Sequence, residues 1–256
     1  MQHKLQLKVI GCGNAYDGQH TNASIMVSEH DYQLLVDCGP TVPATLFNAE
    51  LNPESLDAIY LTHAHPDHCL GLTTLLNWMD AGRRKRPLTL IAQQAQWAVI
   101  EPLIHFAHWP LPTSGFVIHR QNTESTTAVG PWTVRTSSTR HAIANLSLHL
   151  TAANGHQLFY SGDGLLSSEG RMLASQSDWV FLECEMLAHH PSHGSWQDIA
   201  LLSRKPGSCW RLYHVAPALR ASLNASTADI SGVSLAEDGE TLGVESVETV
   251  SGSGQE

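Results

Sequence analysis

Apolar positions along the chain fall into short runs with two different periods. "KLQLKVIGCG" alternates apolar and polar residues before a glycine turn, which predicts a first strand. "ASIMVSEHDYQLLVDCG" holds two apolar runs separated by "SEHDY" and predicts a hairpin with Asp37 at its strand end. "LDAIYLT" (56–62) predicts a buried strand ending at Thr62. "LGLTTLLNWM" (70–79), apolar at helical spacing, predicts a helix starting near Asp67 or His68. A strand over 87–92 and a helix over 93–109, kinked at Pro102, come next. The second half reads as β-rich: strands in "GFVIHRQ" and "GPWTVRTSSTRH", a hairpin over 145–164 with its tip at "AANGH", and a buried strand over 178–186. Residues 195–207 predict a helix stopped by Pro206 and Gly207, and "CWRLYHVAP" the final core strand. A short helix in "PALRASLNAS" and a last hairpin or edge strand in "GVSLAEDGETLGV" close the order. No fixed-period repeat is present. The pattern describes two β-rich halves with helices attached, forming one domain over 1–245, with an acidic, Ser/Gly-rich and disordered tail over 246–256.

Composition narrows the class. An apolar content of 42% over 256 residues fits a globular chain, and no run is long and apolar enough to span a membrane. Polar residues break the N-terminal stretch, so it does not read as a signal peptide, and the expected location is cytoplasmic. Five scattered cysteines without a C-x-x-C pair point to reduced thiols, with Cys69 packing inward from the start of its helix. The net charge of −10 argues against nonspecific binding of nucleic acid, which depends on Lys and Arg at phosphates. The one basic run, "RRKR" (83–86), reads as a solvated helix end that complements the dipole, with a phosphate-gripping patch as the alternative.

The chemistry concentrates in "LTHAHPDHCLGL" (61–72), where three histidines and an aspartate occupy the six positions from His63 to His68. Imidazole and carboxylate are ligands suited to zinc and similar cations. On a strand-to-helix turn, His63 and His65 can point one way while Asp67 and His68 leave in another, as two neighbouring cations would require. Further ligands are expected at strand ends: His141 ends the strand "WTVRTSSTRH", and Asp163 and His214 each close an apolar strand. A carboxylate at 163 could bridge two cations.

"THAHPDH" resembles the T-H-x-H-x-D-H signature of the metallo-β-lactamase superfamily, and His141, "SGDG" and "YHVAP" resemble its later motifs. The resemblance covers roughly residues 5–245. It implies an α/β fold, an αββα sandwich with a dinuclear metal site at the edge between the two sheets. It also implies that one metal takes His63, His65, His141 and Asp163, and the other Asp67, His68, Asp163 and His214. "VIGCGNAYDGQHTNASIMV" and "LECEMLAHHPSHGSWQDIALL" look most like the tRNase Z-like and phosphodiesterase branch. There a strand-borne glutamate and a histidine assist the leaving group. Glu183 and His193 match them, with His189 and His190 close enough to compete for the histidine's role. tRNase Z enzymes carry a tRNA-gripping arm between the third histidine and the bridging aspartate. Only residues 142–162 lie there in this chain, too few for the hairpin and an arm.

The expected function is therefore metal-dependent hydrolysis of a small or nucleotide-like phosphodiester by a metal-bridging hydroxide, with Asp67 orienting it or accepting its proton. Two divalent ions are expected, zinc first and manganese as the alternative. Acyl hydrolysis of thioesters or lactones at the same site is the competing reading. An RNA-processing nuclease or a non-catalytic metal-binding relative ranks lower. The expected partner is a small anionic molecule, tRNA and membranes are not expected, and a homodimer is allowed.

Overall fold

The computed structural model describes residues 5–243, so the tail over 246–256 and the boundary at 245 lie outside the described residues. Two seven-stranded sheets stack face to face. The first runs, edge to edge, Thr241–Gly243, Gln6–Gly11, Ser24–Glu29, Tyr32–Val36, Ala58–Tyr60, Leu88–Ala92, Ile118–Asn122. The second runs Val233–Leu235, Cys209–Tyr213, Trp179–Glu183, Gln157–Tyr160, Leu148–Thr151, Trp132–Arg135, Ala128–Val129. Alternation along the strands decides the layers. Leu34 and Val36 point between the sheets, where they join Tyr60, Trp132, Leu150, Tyr160 and Phe181. Leu35 points outward and packs with Leu72, Leu75 and Met79 of the helix Gly71–Ala81 and Ile100 of the helix Trp97–His108. Across the second sheet, Val180 and Leu212 pack with Leu173 of the helix Ser168–Gln176 and Leu223 of the helix Arg220–Thr227. The order is helix, sheet, sheet, helix: an αββα sandwich. Among the described residues no helix is long and apolar enough to cross a membrane.

Several elements differ from the sequence reading. "GPWTVRTSSTRH" is not one strand. Ser137 bonds Ser147 through its backbone N–H (3.0 Å) and its hydroxyl (2.7 Å), and the chain leaves the large sheet there. Ser138–Arg140 then pairs with Asn145–Leu146 and Leu165–Leu166 in a three-stranded sheet, a detour that delivers His141 to the sheet edge. The helix expected over 195–207 is only Trp196–Ile199. Its hydrogen bonds shift from four residues back at Ala200 to three back at Leu201 and Leu202, which closes it. Of the two readings of "GVSLAEDGETLGV", edge strand holds and hairpin does not: Val233–Leu235 and Thr241–Gly243 are edge strands of different sheets. Two helices were not foreseen, Val42–Asn48 and Ser168–Gln176; the Ser167 side chain caps the latter. In the basic run, Arg84 is fully buried and donates to the carbonyls of Pro53, Leu56, Arg86 and Pro87. Arg86 pairs with Asp57. Both arginines tie the 53–57 loop to the sheet; Arg83, Lys85 and Arg86 are exposed past the helix end as expected, and Arg84 alone of the run is buried. Cys69 is buried in the helix-side core, and the five cysteines are free thiols.

Candidate metal centre

The parallel strands Tyr32–Val36, Ala58–Tyr60, Gln157–Tyr160, Trp179–Glu183 and Cys209–Tyr213 deliver their C-terminal ends to one edge of the sandwich. Glu183 ends its strand, and Asp37, Thr62, His63, Asp163, Glu185 and His214 lie just beyond theirs. The turn after Ala58–Tyr60 runs straight into the helix Pro66–Cys69, with His65 as its extended N-cap residue and proline in its first turn. Gly39 and Gly71 let this helix lie against the loop from the neighbouring strand: a Cβ on Gly39 would sit 2.0 Å from the Asp67 carbonyl oxygen, and one on Gly71 2.2 Å from that of Gly39. Asp37 and His214 leave their strands in the left-handed region, with φ of 60° and 53°. Such backbone persists in non-glycine residues when surrounding contacts fix it.

Two groups of donor atoms result, each within 4.8 Å overall. In the first, His65 Nδ1 lies 3.1 Å from His63 Nε2 and 3.0 Å from His141 Nε2, and Asp163 Oδ2 lies 3.7 and 3.9 Å from those two Nε2 atoms. In the second, Asp67 Oδ2 lies 3.3 Å from His68 Nε2 and 3.1 Å from His214 Nε2, with Asp163 Oδ2 at 3.3 and 3.5 Å from the same nitrogens. Asp163 belongs to both groups. Donors about 2.0–2.2 Å from a tetrahedral cation lie roughly 3.3–3.6 Å apart, and the observed spacings bracket that range. His68 Nε2 and Asp163 Oδ1 are buried without a hydrogen-bond partner, which cations in these groups would answer. The residues fit a pair of divalent cations.

Electrostatics agree. Burial drives the His63 pKa well below its ordinary value, with neighbouring imidazolium charge adding to the effect, so His63 is a neutral donor. Burial also lowers His65 and His141. Burial would lower His68 and His214 too, but Asp163 acts against it at both, joined by Asp37 at His68 and by hydrogen bonds to Asp67 and Glu185 at His214. Both end well above the ordinary range, so protons stand where a cation would. Burial opposes ionisation of Asp163 and Asp67, yet the surrounding histidines hold both far below the usual carboxylate range.

Beside the first group, His193 Nδ1 lies 2.7 Å from Glu183 Oε1, and its ring centroid lies 5.2 Å from that of His141. The other carboxylate oxygen of Glu183 accepts the backbone N–H groups of Gly164 and Gly194. A hydrogen bond to Glu183 raises the His193 pKa. His189 turns away to Asp198 at 3.0 Å, and the His190 ring lies tilted beside that of His193 at 5.1 Å between centroids, so of the three only His193 meets Glu183. Sequence reasoning missed the layer behind the ligands. Asp37, fully buried, bonds His68 Nδ1 at 2.8 Å and accepts both the N–H and the hydroxyl of Thr62. A carboxylate closing an apolar strand, the pattern that pointed to Asp163, is equally present at Asp37.

A family model described as Anti-Pycsar protein Apyc1 matches residues 5–231. The chain belongs to the Anti-Pycsar protein Apyc1 family. The Apyc1 protein of Saccharibacillus brassicae is 33% identical over 99 residues, 39% of each chain, so that match spans about two fifths of the relative's length. The Apyc1 protein of Bacillus phage 010DV004 is 29% identical over 208 residues, 72% of this chain and 79% of that one. Among solved structures, the metallo-β-lactamase fold protein YhfI of Bacillus subtilis superposes with a TM-score of 0.80 at 20% identity, over 94% of this chain and 100% of YhfI. Human tRNase Z, short form, superposes with a TM-score of 0.73 at 18% identity, over 93% and 98%. This Apyc1-family chain thus has the metallo-β-lactamase fold, with two donor groups at its sheet edge that could hold divalent metal.

Proposed function

We propose that the protein is a phosphodiesterase that cleaves a small, nucleotide-like phosphodiester with two divalent cations, zinc or manganese. His63, His65, His141 and Asp163 would hold one, and Asp67, His68, His214 and Asp163 the other. When bound, the cations supply an acidified water as nucleophile and positive charge for the developing phosphoryl oxyanion. The protein's own groups supply the rest. Asp67, in the second donor group, would orient the attacking water or accept its proton. His193 donates its Nδ1 proton to Glu183, which leaves the Nε2 proton for the departing alkoxide oxygen. The Glu183–His193 pair is the observation that carries the reading, because a poor alkoxide leaving group needs a proton donor and a thiolate does not. The pinned carboxylate and half-buried imidazole beside the first cation position suit that task. Between His141 and Asp163 the described chain forms short strands and a turn, and this absence of an arm supports a small substrate over tRNA. The relatives' name denotes action against Pycsar, and the same role is proposed here.

A leaving-group series tests the assignment. His193→Ala should slow diesters with poor leaving groups by about 10²–10⁴-fold, and activated p-nitrophenyl diesters only mildly. Equal losses across the series would assign His193 to binding or folding instead.

A further inference from the structure

Four of the five histidines at the centre direct Nε2 at the cation positions and anchor Nδ1 on a neighbour, and the anchors differ in charge. In the first group they are neutral: the Thr62 hydroxyl lies 3.0 Å from His63 Nδ1, and the Ser192 carbonyl 3.0 Å from His141 Nδ1. In the second group both are carboxylates: Asp37 at 2.8 Å from His68 Nδ1, and Glu185 at 3.2 Å from His214 Nδ1. Glu185 is itself held. The Asn14 amide donates to its two oxygens at 3.1 and 3.3 Å, while Asn14 accepts from Tyr16 N–H at 3.2 Å and from the Asn22 amide at 3.3 Å. The His214 N–H donates to the Cys12 carbonyl at 2.8 Å. One loop, residues 12–22, therefore fixes both the backbone of His214 and the partner of its ring.

We infer that Glu185 is a positioning residue for His214 and that, with Asp37 behind His68, it makes the two cation positions unequal, so that the Asp67–His68–His214 position fills first and holds its cation more tightly. The inference rests on the dinuclear reading above. A carboxylate that accepts Nδ1–H fixes the tautomer whose Nε2 lone pair faces the cation, and it strengthens that nitrogen as a donor. Ligand charge acts in the same direction: the second position has Asp67 in addition to the shared Asp163, whereas the first has Asp163 alone.

Calorimetric titration of metal-free protein with zinc, joined to anomalous diffraction from crystals grown with one equivalent, tests this. Two steps are expected, with the first equivalent at Asp67–His68–His214. Glu185→Gln should weaken the tight step by about 10–100-fold and leave the other unchanged, with the metal-free form still folded by circular dichroism. Asn14→Ala, which frees Glu185 without removing it, should give a smaller loss in the same step and serves if Glu185→Gln fails to fold. Equal steps, a first equivalent at His63–His65–His141, or variants that weaken both steps alike or neither would overturn the inference while sparing the dinuclear reading. Failure to bind zinc at all would overturn both.

Discussion

At the scale of single residues, two carboxylates carry the account. Asp163 is shared between both donor groups, whereas His214 serves one. Asp163→Ala should therefore deplete both cations, and His214→Ala mainly the second, as read by elemental analysis. Full occupancy in both variants would refute the ligand assignment. Under the proposed mechanism Glu183 positions the proton donor, His193. Burial and the Asp163 charge push the Glu183 pKa up, and the bonds from His193 and Gly194 oppose them; we take it as the anion facing an imidazolium. Its hydrogen bond keeps His193 protonated to higher pH than a free histidine, so cleavage of diesters with poor leaving groups should fall as pH rises through that raised pKa. In Glu183→Gln the raising charge is gone, and this alkaline limb should move to lower pH. An unmoved limb in the pH–rate profile would detach Glu183 from the donor. Asp163 and His214 were legible in the sequence because each stands where an apolar strand stops, and His63 to His68 because they crowd one strand-to-helix turn. Glu185 was not: it lies two residues beyond the Trp179–Glu183 strand and acts through His214, a contact that only folding creates.

Elements matter through close approach. The Pro66–Cys69 helix reaches the centre because Gly39 lacks a side chain, and a methyl group there would collide with backbone at Asp67. Gly39→Ala should destabilise by about 1–3 kcal/mol and weaken binding at the second position, read as a lower melting temperature and reduced metal content. Unchanged stability and occupancy would show that the loop yields without cost. Local periodicity identified most strands correctly, yet it failed where tertiary contacts intervene. The alternation through "WTVRTSSTRH" runs on, but the Ser137–Ser147 bonds send the chain into a second sheet. The helix read from 195 to the Pro206–Gly207 stop ends at Ile199, and Leu201 beyond it is 83% exposed.

For the whole molecule, the sandwich brings strand ends from two sheets to one edge, and separation along the chain hides this arrangement. His63 and Asp163 are 100 positions apart, and only ligand chemistry, together with resemblance to a known signature, linked them before the fold was in hand. Which substrate the assembled edge favours is the central claim. Both phosphodiesters and acyl compounds could use a bound cation pair, and the proposed Glu183–His193 donor would favour substrates whose leaving group needs a proton. The most direct measurement compares kcat/KM of the metal-loaded protein for a small phosphodiester such as bis(p-nitrophenyl) phosphate with kcat/KM for a comparable thioester and lactone. The account expects the phosphodiester to be hydrolysed faster; clear preference for the thioester or lactone would contradict it.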